Sequence, residues 1–312
     1  MNFLKELEKF KAILYAVATG GARSIRGICA VAGVPYETTR RRLLSLSGLK
    51  EQYARFVLER YCPGEDVALV VIDPTYLKEL AHGILVAGLL VPGLRRCVPL
   101  YWEHFNWRKM EERENGLYSR NLFQRRFIRR LKELVYPRKL VIIADREFGR
   151  LSFLKALKKA GISWVIRVPK NGYPPRIGEH ILFQEPGHDE PWLLSFRLPS
   201  GYDLDPVKLY SLRMRIEETF RDAKSLLAMR TLLNRIKHDP VREGLILLLF
   251  VSWLLLKVAK EASEKYRILP QGLINLVNRG YYSDISFGRL WLCACATMML
   301  EQSPVLQELM GG

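Results

Sequence analysis

The spacing of apolar positions changes along the chain. Up to about residue 62 they recur at helical intervals, and this region reads as all helix. Ser24 stands where a cap would precede a helix over Ile25–Ala32, Gly33-Val34-Pro35 makes a tight turn, and Tyr36–Leu46 forms a second helix. The Pro/Gly break in Tyr61-Cys62-Pro63-Gly64-Glu65-Asp66 closes the region. Contiguous β-branched runs then predict buried strands over 67–73, 83–91 and 96–103, with Pro92-Gly93 as a turn. A helix follows over about 116–135, then a strand over 139–145, a helix over Leu151–Ala160 closed by Gly161, and a strand over Ser163–Val168. Residues 170–208, rich in Pro and Gly, read as a small β-rich insertion. From about residue 239 onward the chain reads as mostly helical. The expected class is α/β: a mixed sheet with flanking helices, preceded by a helical domain over 1–62.

Two of the apolar runs end in a carboxylate. Val67-Ala-Leu-Val-Val-Ile reaches Asp73, and Lys139-Leu-Val-Ile-Ile-Ala reaches Asp145. A carboxylate at such a place is not easily buried without a partner. A third acid lies in Tyr210-x2-Arg213-x3-Glu217-x6-Lys224. At 100° per residue these four positions fall within about 60° of one another on a helix. One stripe would then carry a metal-binding carboxylate beside two cations and a phenol suited to phosphates. Three carboxylates without fixed His or Cys ligands match the chemistry of Mg²⁺-assisted phosphoryl transfer. Glu147 is a neighbour of Asp145, and Arg221 lies near the stripe. The five histidines have no ligand spacing, and no Ser/His/Asp arrangement or phosphate loop occurs.

Charge narrows the partners. Lys plus Arg outnumber Asp plus Glu by 49 to 32, a net charge of +17, which favours a polyanion. A membrane is disfavoured, because the longest apolar run, Leu245–Leu256, is too short to span one and reads as a buried helix. The first residues form an amphipathic helix without a signal-peptide stretch. Five scattered cysteines, with Cys293 and Cys295 in an apolar run over Trp291–Leu300, read as reduced thiols in a cytoplasm. The helix-turn-helix pattern over 24–46 carries Arg40, Arg41 and Arg42 on its second helix, as a DNA-reading element would. A second basic helix runs from Arg120 to Lys132, with Phe123, Phe127 and Leu131 on its apolar side.

With the two strand-borne aspartates followed by the ungapped Tyr-Arg-Glu-Lys pattern, the chain resembles the DDE transposases of bacterial insertion sequences, in the YREK-bearing group (insertion-sequence family four). The resemblance covers about residues 67–227. It implies an RNase H-like catalytic domain over 63–312, with a strand-rich insertion at 170–208 and C-terminal helices over 239–312. It implies a D-D-E triad of Asp73, Asp145 and Glu217 binding two Mg²⁺ ions, with Mn²⁺ as a substitute. Only Glu217, not Glu218, keeps the motif spacing. Tyr210, Arg213 and Lys224 would contact the DNA strand, and Trp192 would stack on a base, with Tyr173 and Trp164 as competitors. The partners implied are double-stranded DNA, as terminal inverted repeats and target, and a second copy in a homodimer on paired ends. A nuclease or resolvase of the same fold and a non-catalytic DNA-binding relative are the rival readings.

Overall fold

The computed structural model describes residues 3–19, 22–77, 82–106, 120–169, 177–184 and 190–266. Tyr173, His188 and the run Trp291–Leu300 with Cys293 and Cys295 lie outside the described residues. The helices are α1 (Phe3–Glu8), α2 (Lys11–Ala18), α3 (Ile25–Ala32), α4 (Tyr36–Leu46), α5 (Lys50–Tyr61), α6 (Arg120–Val135), α7 (Leu151–Lys159), α8 (Pro206–Ser211), α9 (Met214–Ser225), α10 (Met229–Asn234) and α11 (Asp239–Tyr266). The strands are β1 (Val67–Leu77), β2 (His82–Leu89), β3 (Val98–Asn106), β4 (Lys139–Ala144), β5 (Ser163–Arg167), β6 (Glu179–Phe183) and β7 (Trp192–Arg197). The chain divides into two compact units. One comprises Met1–Gln52 with the residues from Phe220 onward, and the other Tyr53–Thr219.

In the first unit the helical pair is built as its residues dictate. The Ser24 hydroxyl accepts the Gly27 N–H at 3.0 Å, satisfying one of the free donors at the start of α3. Gly33 ends the helix in the left-handed region at φ +64°, where a side chain would be strained. Thr39, Leu43 and Leu46 form the buried side of α4, while Arg41 is exposed and Arg40 and Arg42 are half-exposed. Helix α11 runs against that buried side. A Cβ on Gly244 would collide with the Leu43 carbonyl, so the close approach requires glycine there. The stretch Leu245–Leu256 is buried throughout, as expected of a core helix. Among the described residues no helix is long and apolar enough to cross a membrane.

The second unit is a seven-stranded mixed sheet in the order β3-β2-β1-β4-β5-β7-β6. Strands β1, β4 and β5 are mutually parallel; β2 runs antiparallel beside β1, and β3 antiparallel beside β2. Apolar side chains occupy both faces of β4, which is buried from Leu140 to Ala144. One feature departs from the sequence expectation. Strand β1 does not end at Asp73 but continues to Leu77, held by its antiparallel pairing with β2. Its pairing with β4 stops one residue earlier, at Ile72 and Ala144. Pro74 therefore sits where no β4 partner needs its missing N–H, which is why a proline is tolerated inside this strand.

The 170–208 segment contributes strands β6 and β7, and both pair into the main sheet. Strand β7 covers the open edge of β5, an edge that would otherwise present unpaired backbone groups. A buried polar link fixes the join. The Trp164 indole N–H donates to the Ser195 hydroxyl at 3.2 Å, and that hydroxyl donates to the Ile177 carbonyl at 2.9 Å.

Candidate active site

The register of β1 and β4 decides where two of the acids stand. Ile72 pairs with Ala144, so Asp73 and Asp145 are the next residues on two adjacent parallel strands. Adjacent strands lie about 4.8 Å apart, so the two carboxylates emerge side by side. Past Asp145 the chain makes a 3₁₀ turn over Arg146–Phe148 and Phe148 plunges into the core. Gly149 then passes so close to the end of β5 that a Cβ there would stand 2.6 Å from the Arg167 carbonyl oxygen. Only glycine allows this turn to tuck in and leave Asp145 at the strand end.

The third acid arrives on α9. Ile216 is buried, and Thr219 donates to the Cys97 carbonyl at 2.9 Å. The Ile216 side chain reaches toward Gly88, where the absent Cβ leaves room for it and for Cys97. With residues 216 and 219 seated on β2 and the turn before β3, Arg213 and Glu217 share the next flank of the chain. Glu218 turns away and pairs with Arg96 at 3.3 Å. The structure thus gives the two neighbouring glutamates different surroundings.

Tyr210, Arg213 and Glu217 do not lie on one continuous helix as the spacing predicts. Helix α8 ends at Ser211 and α9 begins at Met214. Across the junction the backbone tightens to i→i−3 bonds: Arg213 N–H to Tyr210, Arg215 to Leu212, and Ile216 to Arg213. Tyr210 is drawn inward to 4% exposure, while Arg213 and Glu217 still meet as an i,i+4 pair at 2.8 Å.

The result is one connected polar cluster. The Tyr210 hydroxyl donates to Asp145 Oδ1 at 3.0 Å. Arg213 Nη1 lies 2.8 Å from Glu217 Oε1 and 4.0 Å from Asp73 Oδ1. All three acids are tied together through the tyrosine and the arginine of the motif. Burial pushes the Tyr210 phenol well above its ordinary pKa, and the Asp145 charge and hydrogen bond push it further. It therefore remains a donor. Burial works against the Arg213 charge, but attraction from Asp145, Tyr210, Glu217 and Asp73 outweighs it and raises the guanidinium pKa. Trp192 packs edge-on against Tyr210, with ring centroids 4.9 Å apart, and Phe183 packs on Trp192 at 5.9 Å.

Lys224 belongs to the other compact unit, where its ammonium sits 5.8 Å from the Phe220 ring centroid. Arg40, Arg41 and Arg42 belong to that unit too, and Arg40 lies 3.8 Å from Glu37. Glu147 pairs with Arg120. Trp164 is fully buried.

Arg167 escaped the sequence reading. Ala144 pairs with Ile166, so Arg167 follows Asp73 and Asp145 in the same row across three parallel strands. It pairs with Glu190 at 3.1 Å, and its charge acts on the Tyr210 hydroxyl. The sequence signal was faint: an arginine at the end of a short apolar run, with nothing local to give its register.

Three carboxylates offer hard oxygen donors of the kind Mg²⁺ takes. One guanidinium between Asp73 and Glu217 does not balance three acids, so in donor chemistry, though not in present spacing, the set suits a divalent cation. Arg213 lies between Asp73 and Glu217, and among the described residues no group of three or more His, Cys, Asp or Glu is spaced to hold a metal as it stands.

No match was found among curated proteins. A solved structure, a cryo-EM structure of piggyBac transposase synaptic complex with hairpin DNA, is similar at a TM-score of 0.41 and 11% identity, over 98% of this chain and 75% of that one. Residues 118–255 match the family model of the transposase DDE domain, a stretch that takes in Asp145, Tyr210, Arg213 and Glu217, and that match supports a DDE transposase.

Proposed function

We propose that this chain is a DNA transposase of the YREK-bearing group, cutting the ends of its element and joining them to target DNA with Asp73, Asp145 and Glu217. The observation that carries the reading is the cluster itself: two aspartates in register on parallel strands, Glu217 tied to Asp73 through Arg213, and Asp145 held by Tyr210. The strand order β3-β2-β1-β4-β5, with β2 antiparallel and the next three parallel, supports an RNase H-like catalytic unit.

Asp73, Asp145 and Glu217 would hold two Mg²⁺ ions, or Mn²⁺ in their place, and bound metal supplies a more acidic hydroxyl for attack and neutralises charge on the leaving oxygen. The other steps fall to the protein's own side chains. Tyr210 holds one oxygen of Asp145 and so fixes the carboxylate's orientation. Arg213, permanently charged, offers donors in a planar fork to a phosphate beside Glu217. Arg167 would place a further positive charge on the same row. Trp192, packed edge-on against Tyr210, holds the phenol in place and offers an aromatic face for a base.

The chain would act on double-stranded DNA in a bacterial or archaeal cytoplasm, as a homodimer on paired ends, with residues 24–46 reading DNA. The net charge of +17 supports this partner. Each phosphate neutralised contributes about −0.9 to the log–log salt slope. Replacing Arg40, Arg41 and Arg42 by alanine should therefore flatten the slope by up to about 2.7. Anisotropy titrations across salt concentrations measure it, and an unchanged slope would place DNA binding elsewhere.

A strand-transfer assay tests the reaction type. Incubated with Mg²⁺, an element end and a target duplex, the protein should yield joined product. Cleaved but never joined DNA would leave a nuclease, and no cleavage with intact binding would leave a DNA-binding relative.

A further inference from the structure

A basic cleft of about 570 Å³ lies at the far end of the same sheet, away from the carboxylates. It is lined by Lys132, Tyr136, Arg138, Lys139 and Arg197, with no acidic residue in its wall. Topology fixes its position. Lys139 opens β4, Ser163 opens β5 and Arg197 closes the antiparallel β7, so all three strands present this end together. Asp145 follows the last residue of β4. Six residues at about 3.3 Å each put roughly 20 Å between the two ends.

Neutral groups orient three of these cations. Lys132 donates to the Ala160 carbonyl at 2.5 Å, and Arg138 donates to the Cys62 carbonyl at 3.1 Å. The Lys139 ammonium lies 4.8 Å from the Tyr202 ring centroid. A carbonyl or a ring orients a cation without cancelling it. Among the described residues none of the four forms an ion pair with a carboxylate. The nearby Asp66 takes the Tyr202 hydroxyl at 3.4 Å. Small-molecule sites are mostly apolar and enclosing. This wall is cationic, and Lys132, Tyr136, Lys139 and Arg197 are all exposed. Three oriented charges, with the exposed Arg197 beside them along one open edge, fit a run of phosphodiesters.

We infer that this cleft is a second nucleic-acid site, holding the phosphate backbone of duplex DNA about 20 Å from the reacting phosphate. That separation equals about six base pairs at 3.4 Å each along one strand. The cleft would grip DNA flanking the reacting end and leave the chemistry to the carboxylate cluster. The inference rests on DNA being the ligand, as proposed above.

The test uses the full chain with Lys139→Gln and Arg197→Gln combined, two exposed residues outside the carboxylate cluster. Binding of a long labelled duplex is measured by anisotropy across salt concentrations, with melting temperature as a folding check. The salt slope should fall in magnitude by about 1.8, for two phosphates no longer neutralised at about 0.9 each. A wild-type slope in the folded variant overturns the second site alone. A wild-type protein that binds no DNA overturns both this site and the proposed function. If the variant fails to fold, amine-reactive labelling of Lys139 in the wild-type protein decides. Protection by the duplex but not by inorganic phosphate at equal phosphate concentration supports the site. No protection, or equal protection by both, overturns it.

Discussion

Asp145→Asn is expected to abolish Mg²⁺-dependent cleavage while duplex binding persists. Asparagine keeps the side-chain shape, and its carbonyl oxygen can still accept the Tyr210 hydroxyl now held at 3.0 Å. The change removes charge and little else. Loss of a group that merely supports a metal ligand costs about 10–100-fold, so loss of a ligand's own charge should exceed about 100-fold. Binding should hold or tighten, because a negative charge facing a polyanion has been removed. Glu217→Gln should behave alike. Glu218→Gln is the control, since Glu218 is engaged with Arg96 at 3.3 Å. Cleavage of a labelled element end, beside anisotropy on the same duplex, measures both effects. Activity surviving in Glu217→Gln and lost in Glu218→Gln would reverse the assignment of the third carboxylate.

The parts of this site that could be read from sequence are those encoded by neighbours in the chain. The capped helix Ile25–Ala32 was legible because Ser24 and Gly33 each act within one turn of it. Strands β1 and β4 were legible because runs of Val and Ile announce burial on both faces. What was not legible depends on contacts between distant segments. Nothing near Arg167 reveals that it falls in the same row as Asp145, since that register comes from pairing with β4. The break between α8 and α9 was invisible for a similar reason. The segment has no Pro or Gly from Val207 to Ser225 to mark it. It is set by Tyr210 reaching Asp145, 65 residues away, while Ile216 and Thr219 anchor α9 on β2 and Cys97. The union of β6 and β7 with the main sheet depends likewise on the edge of β5 and on Trp164 meeting Ser195.

Arg213→Ala should slow the chemistry more than it weakens binding. Arg213 now stands between Asp73 and Glu217, and burial leaves it 13% exposed. Its removal has two consequences that add. The acids lose the cation that offsets their mutual repulsion, so their positions relax. A phosphate brought to the site also loses a donor in fixed geometry, just where charge moves to the leaving oxygen. A small displacement of a reacting group can cost about 100-fold in rate, whereas removing one charged hydrogen bond from a large interface costs about 1–3 kcal/mol. Arg213→Lys should recover part of the binding but little of the rate, because an ammonium is a point charge and cannot span two oxygens as the planar fork does. Single-turnover cleavage at saturating protein separates the two effects, since every DNA end is then bound. A wild-type rate for Arg213→Ala under those conditions would confine the arginine to affinity or to the stability of α9. A slow rate for both variants, with binding restored in Arg213→Lys, would place the guanidinium at the reacting phosphate.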